Sequence, residues 1–241
     1  MNQALPEWLH AGPRPSARQR RSVGARKLWL LLLGLPKTLR FNLRYFPLRT
    51  ALRLPVLVSH RVWLRELEGE VRLGSARTGA VRIGFGDVGI FDQQRSRTIW
   101  QVSGIVTFAG AADIGHGSRI SVTGALLLGD GVQMVAESAI VAQRAVAIGD
   151  GCLISWDVLI IDTDGHEIYD VRGTRINPAT PIVIGNSVWL GCRSVVLKGV
   201  RIADGVVVAA AATVTRPVES PNVIVGGSPA RVVKENIRWK R

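Results

Sequence analysis

The stretch PIVIGNSVWLGCRSVVLKGVRIADGVVVAAAATVTRPV, residues 181–218, decides the fold. Ile184, Leu190, Val196, Ile202, Val208 and Val214 stand six residues apart, and four residues after each come Val188, Ser194, Val200, Val206, Ala212 and Val218, all small or β-branched. A small residue often follows the first position, as at Gly185, Gly191, Ala203 and Ala209. A period of six fits neither a helix, with 3.6 residues per turn, nor a strand that alternates in twos. It fits a short strand plus a corner, three of which make one turn of a triangular prism. The large apolar residue points inward, the second inward position stays small or β-branched because the prism is narrow, and glycine accepts the positive φ that a corner can demand.

Working outward, the same frame holds at Ile148, Ile154 and Ile160, with Cys152 and Val158 four residues on. A looser set, Val102, Phe108, Ile114, Ile120 and Leu126, precedes them, and the register slips by two at Leu128 and again at Ile148. Between Ile160 and Ile184 the pattern is lost for 24 residues, four times six, so the frame resumes after an excursion. The expected fold is all-β, a parallel β-helix over residues 61–230 with a loop at 162–180. Residues 1–60 form a basic, partly helical arm and 231–241 a C-terminal tail.

Charge separates the arm from the rest. The chain carries +13 overall, but residues 1–61 hold 12 Lys and Arg against one acid, a net of +11, which leaves +2 for the remaining 180 residues. Residues 1–22, with Pro6, Pro13, Pro15 and the cluster RQRR, read as a disordered basic segment. Over 25–54, Leu28, Leu31, Leu32, Leu35, Leu39, Leu43 and Phe46 recur at helical spacing between cations, with Pro36 and Pro47 expected to break or start elements. The apolar run 28–35 is far short of the roughly 20 residues that span a bilayer, and no secretory signal is read in the polar, Arg-rich residues 1–27. Residues 14–53 hold eleven Lys and Arg and no acid, interleaved with Leu, Phe, Trp and Tyr. That pattern suits an anionic membrane surface better than nucleic acid; packing of the Leu face on the side of the β-helix is the competing expectation. Cytoplasmic residence, peripheral at the inner membrane, follows. Two cysteines, Cys152 and Cys192, both in apolar repeats, are expected as small buried hydrophobes in a reducing compartment.

The run from Pro181 to Val233, ending in GGSPARVV, resembles the hexapeptide-repeat acyltransferases, which include galactoside, maltose and capsular-polysaccharide O-acetyltransferases. The similarity is strong over about residues 140–233, and LPKTLRFNLRYFPLRTALRLPVLVS, residues 35–59, is similar to the N-terminal region of relatives from capsule and exopolysaccharide clusters. The resemblance implies a left-handed β-helix, a homotrimer, and acetyl-CoA as acyl donor with a sugar or lipid-linked glycan hydroxyl as acceptor. It also implies a catalytic histidine in the excursion, and His166 is the one that lies there. The chemistry agrees: a sugar hydroxyl is almost wholly protonated at neutral pH, and an imidazole within hydrogen-bond reach supplies the missing base. Asp162, Asp164 and Glu167 are candidates to orient it. The resemblance places Trp189, in SVWLG, along the active-site cleft, and Trp156 and Asp157, in ISWD, depart from the usual pattern where the acceptor pocket would be shaped. Gly191 and Ala209 are expected to leave a groove for pantetheine, with Arg216 and Arg231 meeting the phosphates. His116 is expected at a surface corner.

Two alternatives to the O-acetyltransferase remain: an N-acetyltransferase acting on an amino-sugar nucleotide, and a non-catalytic solenoid scaffold. A zinc enzyme on the same scaffold would need three histidines, and the repeats hold only His116 and His166, so no metal is expected.

Overall fold

The computed structural model describes residues 17–86, 88–92 and 95–241. Short strands pair in parallel with strands one coil away and build three sheets of nine, seven and six strands, the faces A, B and C of a prism. Face A runs from Val56–Val58 to Ile224–Gly226, face B from Trp63–Leu67 to Thr213–Val214, and face C from Glu70–Leu73 to Arg201–Ile202. The chain visits A, B and C in turn. The fold is a left-handed parallel β-helix. Its first strand lies inside the stretch read as the arm. Its last, Arg231–Lys234, lies in the stretch read as the tail and pairs antiparallel with Ile224–Gly226.

Alternation puts two side chains of each strand inside. Val188 with Leu190, Ser194 with Val196, Val200 with Ile202 and Val206 with Val208 are all buried, as the period of six requires. The prism, expected to be narrow, nevertheless holds Trp100, fully buried on face B. Trp189 sits outside because it precedes the inward Leu190, not because of its size.

Coil length explains the register slips. Face A partners Val132↔Ala112 and Gln133↔Leu153 are 20 residues apart, whereas Trp189↔Val207 are 18 apart. The two extra residues form a corner between faces B and C, at Ser103–Gly104, Thr123–Gly124 and Gln143–Arg144. These corners stack. The amides of Ser103 and Gly104 donate to the Val122 carbonyl, and those of Thr123 and Gly124 to the Ala142 carbonyl, each at 3.0 Å. A Cβ on Gly69, Gly104 or Gly124 would collide with the carbonyl oxygen of the corner above, so this column needs glycine. The column ends at Arg144, because the next coil has no such corner. Asp162 takes its place: its buried carboxylate accepts from the amides of Gln143 (2.8 Å), Arg144 (2.8 Å) and Ala145 (2.7 Å).

A second column runs along the corner between C and A. Asp130 accepts the Ala111 amide at 2.6 Å, Asp150 that of Asp130 at 2.7 Å, Asn186 that of Asp150 at 2.8 Å and Asp204 that of Asn186 at 2.7 Å. The hexad pattern had shown only the small neighbours of these residues.

Helix α1 (Ala17–Tyr45) closes the first coil. Residues 17–22, expected to be disordered, belong to it; that stretch has no proline and is rich in Ala, Arg and Gln, good helix formers. The remainder of the expected disordered segment, 1–16, lies outside the described residues. Pro36 does not end the helix, and Leu32, whose carbonyl it leaves without a donor, is exposed. After Pro47 comes a single turn, α2 (Leu48–Ala51). Side chains of α1 stand in for the missing coil below Val56–Val58. Asn42 donates to the Val56 carbonyl (2.7 Å) and accepts its amide (3.3 Å), and Thr38 accepts the Val58 amide at 2.9 Å. Lys37 Nζ donates to the carbonyls of His60 and Val62, both at 2.6 Å. Phe41 plugs the open end, its ring 5.2 Å from that of Trp100. The competing expectation for the arm is corrected: α1 packs on the end of the β-helix, not its side, and through Gly34, Thr38, Phe41 and Asn42, while the Leu face stays exposed.

Asp162→Ala removes a buried charged acceptor from three amides. Each such bond contributes roughly 1.5–3 kcal/mol, so a loss of at least about 3 kcal/mol is expected, a fall in Tm of about 6–12 °C for a chain of this size. Thermal unfolding followed by circular dichroism measures it; an unchanged Tm would overturn the role given to Asp162.

Candidate functional site

The excursion leaves the prism after Ile161 at the corner between B and C and returns at Ile182. It has its own internal order. Tyr169 and Arg175 form an antiparallel bridge, and the Asp170 carboxylate closes the tip by accepting the amides of Arg172 (2.9 Å) and Thr174 (2.8 Å). Asn177, buried at its centre, accepts the Ile168 amide at 2.6 Å. Its Nδ2 donates to the His166 carbonyl and to Asp164, each at 2.8 Å. Lys198, one coil on at the same corner, ties Asp164 to the prism at 2.5 Å. This lysine, followed by the Asn177 hydrogen bond, holds the Asp164 carboxyl below the usual carboxylate range.

The backbone of His166 is therefore fixed while its side chain is exposed. Each of the three neighbouring carboxylates is engaged elsewhere. Asp162 holds the corner amides, Asp164 binds Lys198 and Asn177, and Glu167 pairs with Arg175 at 2.8 Å and accepts from the Tyr169 hydroxyl at 2.5 Å. Within one chain, none of them orients the imidazole.

The other candidates divide between two places. Arg216 is exposed on the corner between B and C, in the column that carries His166 and Lys198. Trp189, Trp156, Asp157, Gly191, Ala209 and Arg231 lie on face A or on the corner between A and B. There the Trp189 Nε1 donates to Ser155 Oγ at 3.0 Å. Trp156 and Asp157 make the corner itself, Asp157 at φ +57° with its carboxylate 3.9 Å from Arg193. Gly191 is small for a reason internal to the fold: a Cβ would come within 2.7 Å of the Ala210 nitrogen and the Val208 oxygen of the next coil. Ala209 is half-buried and continues the face A ladder, donating its amide to Val225 at 2.8 Å. Arg231 is exposed, its guanidinium donating to the Ala230 carbonyl at 2.9 Å. Face B, strands of up to five residues at about 3.3 Å each, stands between the two groups.

Two residues of this region carried no signal in the repeats. The C-terminal tail folds back along the corner between C and A. Trp239 lies against Trp189 with ring centroids 5.8 Å apart and donates its indole N–H to the Ser187 carbonyl at 2.7 Å. The Arg241 guanidinium donates to the carbonyls of Gly131 and Cys152, each at 3.0 Å. Only their residue types, an aromatic and a cation in a polar tail, could have marked them.

His116 is not at the surface. It is 4% exposed, 2.9 Å from Ser96 Oγ and 3.7 Å from the Glu137 carboxylate. Cys152 is buried and its thiol is pushed up to about 11, chiefly by burial. Cys192 is half-buried, and neither cysteine is in a disulfide.

Residues 181–216 match the family model described as bacterial transferase hexapeptide (six repeats). Over these residues the chain carries the hexapeptide repeat. This hexapeptide-repeat chain is 34% identical over 126 residues to a polysialic acid O-acetyltransferase of Escherichia coli O1:K1 / APEC, which covers 52% of the chain and 39% of that relative. It is 39% identical over 97 residues to a galactoside O-acetyltransferase of Escherichia coli (strain K12), covering 40% of the chain and 47% of the relative. The chain thus spans less than half the length of these curated relatives. Among solved structures it is similar to the polySia-specific acetyltransferase NeuO, with a TM-score of 0.56 at 25% identity over 76% of this chain and 74% of the other.

With the Cys152 thiol near 11, only about 0.1% is thiolate at pH 8, against roughly a quarter for an ordinary cysteine. Iodoacetamide at pH 8 should label Cys152 at least ~100-fold more slowly in the folded than in the unfolded protein, as read by mass spectrometry. Equal rates would contradict the buried thiol.

Proposed function

We propose that this chain transfers the acetyl group of acetyl-CoA to a hydroxyl of a sugar or lipid-linked glycan, with His166 as general base, in a homotrimer whose sites lie between neighbouring chains. One observation carries the reading: the exposed imidazole is presented on an excursion rooted in the prism at its entry by Asp162 and the Asp164–Lys198 pair, and at its exit by the Thr180 amide, which donates to the Asp162 carbonyl at 3.0 Å. A polar segment thrown out of a solenoid and then held rigidly is the arrangement that positioned catalysis requires. The O-acetyltransferase relatives support the same chemistry.

The imidazole takes the proton of the acceptor hydroxyl as its oxygen attacks the thioester carbonyl. The tetrahedral intermediate collapses by breaking the C–S bond, and the imidazolium returns its proton to the departing thiolate. No covalent enzyme intermediate is involved, in keeping with a Cys152 thiol held protonated by burial. Arg216 and Arg231 bind the phosphates of the donor, and pantetheine lies along the coil edge at Gly191 and Ala209. Trp189, with Trp156 and Asp157, bounds the acceptor pocket.

Trimer assembly accounts for the split of these residues. His166 and Arg216 lie on one edge and the tryptophans on the far side of face B, so one chain cannot bring them together. Docking the B–C edge of one prism against face A of its neighbour does so three times in a closed ring. The neighbour also becomes the source of a group to orient the imidazole, which its own carboxylates do not reach. The expected setting is the cytoplasm, where the donor is available.

His166→Ala should lower acetyl transfer at least ~100-fold while leaving CoA binding by calorimetry nearly unchanged; near-wild-type activity would refute the assignment. Assays offering glycan hydroxyls and amino-sugar nucleotides separate O- from N-transfer, and no product from either would favour a scaffold. Arg216→Ala and Arg231→Ala should raise KM for the donor more than they lower kcat, since contacts remote from the carbonyl hold ground and transition states alike. A pure kcat effect would place them elsewhere. Light scattering of active protein that reports a monomer would eliminate the shared site.

A further inference from the structure

Helix α1 has two unlike faces. Gly34, Thr38, Phe41 and Asn42 are buried against the first coil. Another side presents Leu28, Trp29, Leu32, Leu35, Leu39 and Leu43 to solvent, with Trp29 at 60%, Leu32 at 59% and Leu43 at 52% exposure. Leu28, Leu32, Leu35, Leu39 and Leu43 fall at intervals of four and three, a continuous stripe on one side of the helix. Leu48 and Leu52, around α2, extend it and are more exposed still. Monomeric proteins rarely leave so large a contiguous apolar surface open.

Direction narrows the occupant. Phe41 plugs the end of the prism and Thr38 and Asn42 replace the coil beneath the first strand, so α1 lies at that end, and its leucine stripe, roughly a third of a turn around the helix from these residues, is left exposed outside the three sheets. Charge narrows the occupant further. Arg40, Arg44, Arg49 and Arg53 are exposed beside the stripe, and the sequence of α1 begins with Arg18, Arg20, Arg21, Arg26 and Lys27 and contains no acid. A leucine face with a tryptophan and flanking cations matches a helix that lies in the headgroup region of an anionic bilayer. Among the described residues no helix is long and apolar enough to cross a membrane.

We infer that the capped end of the β-helix is a docking surface for an anionic lipid bilayer, with α1 lying in the interface and the prism axis standing away from the membrane. This extends the proposed function, from which it takes only the trimer: three parallel prisms present three such helices in one plane, and binding becomes multivalent.

The test is co-sedimentation of the full chain with vesicles of phosphatidylglycerol and phosphatidylcholine in equal parts, and with phosphatidylcholine alone. Binding to the first, at least ~10-fold weaker to the second and weakened by salt, is expected. Arg40→Gln/Arg49→Gln/Arg53→Gln should weaken it roughly 100-fold, about 1 kcal/mol for each cation. Leu32→Glu/Leu39→Glu/Leu43→Glu should abolish it without altering the circular dichroism or oligomeric mass, because these side chains are exposed. Failure of the full chain to bind anionic vesicles, or equal binding to both compositions, would overturn the inference. So would a change of oligomeric mass in the leucine variant, which would make the stripe a contact between copies. Acetyl transfer to a soluble acceptor is measured in parallel: if it fails while vesicles bind, the proposed function falls and the docking surface stands.

Discussion

Each coil of this β-helix must find, in the coils above and below, acceptors for its backbone N–H groups. Where the next coil supplies carbonyls the ladder continues unaided. Where it does not, a side chain takes over. Asp162 receives the three amides left by the last two-residue corner, the column of Asp130, Asp150, Asn186 and Asp204 serves the corner between C and A, and Asn42 and Thr38 of α1 serve the first strand. A buried amide without a partner is costly, so these few polar side chains set where the solenoid can begin, turn and change its perimeter.

The same repetition shapes the site. A prism presents edges and faces that are identical along its length, so groups that must meet are far more easily stacked along one edge than gathered across the body. His166, Lys198 and Arg216 share one edge; Trp156 and Trp189 share another region, where the tail adds Trp239. In the proposed trimer, side-by-side association completes a two-sided cleft, and side chains half-exposed in one chain become its walls.

Much of this is legible in the sequence because burial has a period. Ile184 to Val214 specify the coil, and the slips at Leu128 and Ile148 mark its extra corner residues, though not which faces that corner joins. His166 is legible because it interrupts the period. What escaped has no period of its own. The carboxylate of Asp162 looks like part of the loop until its amides are seen, and Trp239 and Arg241 act through a fold-back that no local pattern encodes. His116 looks like a corner residue and is one, but it is buried, beside Ser96 and Glu137. Trp100, buried inside the first coils, meets the cap directly, its ring 5.2 Å from that of Phe41.

The excursion begins just past the residue that closes the corner column and ends just before the strand that restarts face C. The strands on either side keep their partners, Leu159↔Val195 and Val146↔Ile182, whatever lies between. The segment between Asp162 and Pro181 is therefore a cassette. It can lengthen, shorten or be exchanged without re-registering a single coil, provided the carboxylate at its root is kept. On such a seam the length and side chains of the excursion can change while every coil, and every residue stacked along its faces, keeps its place.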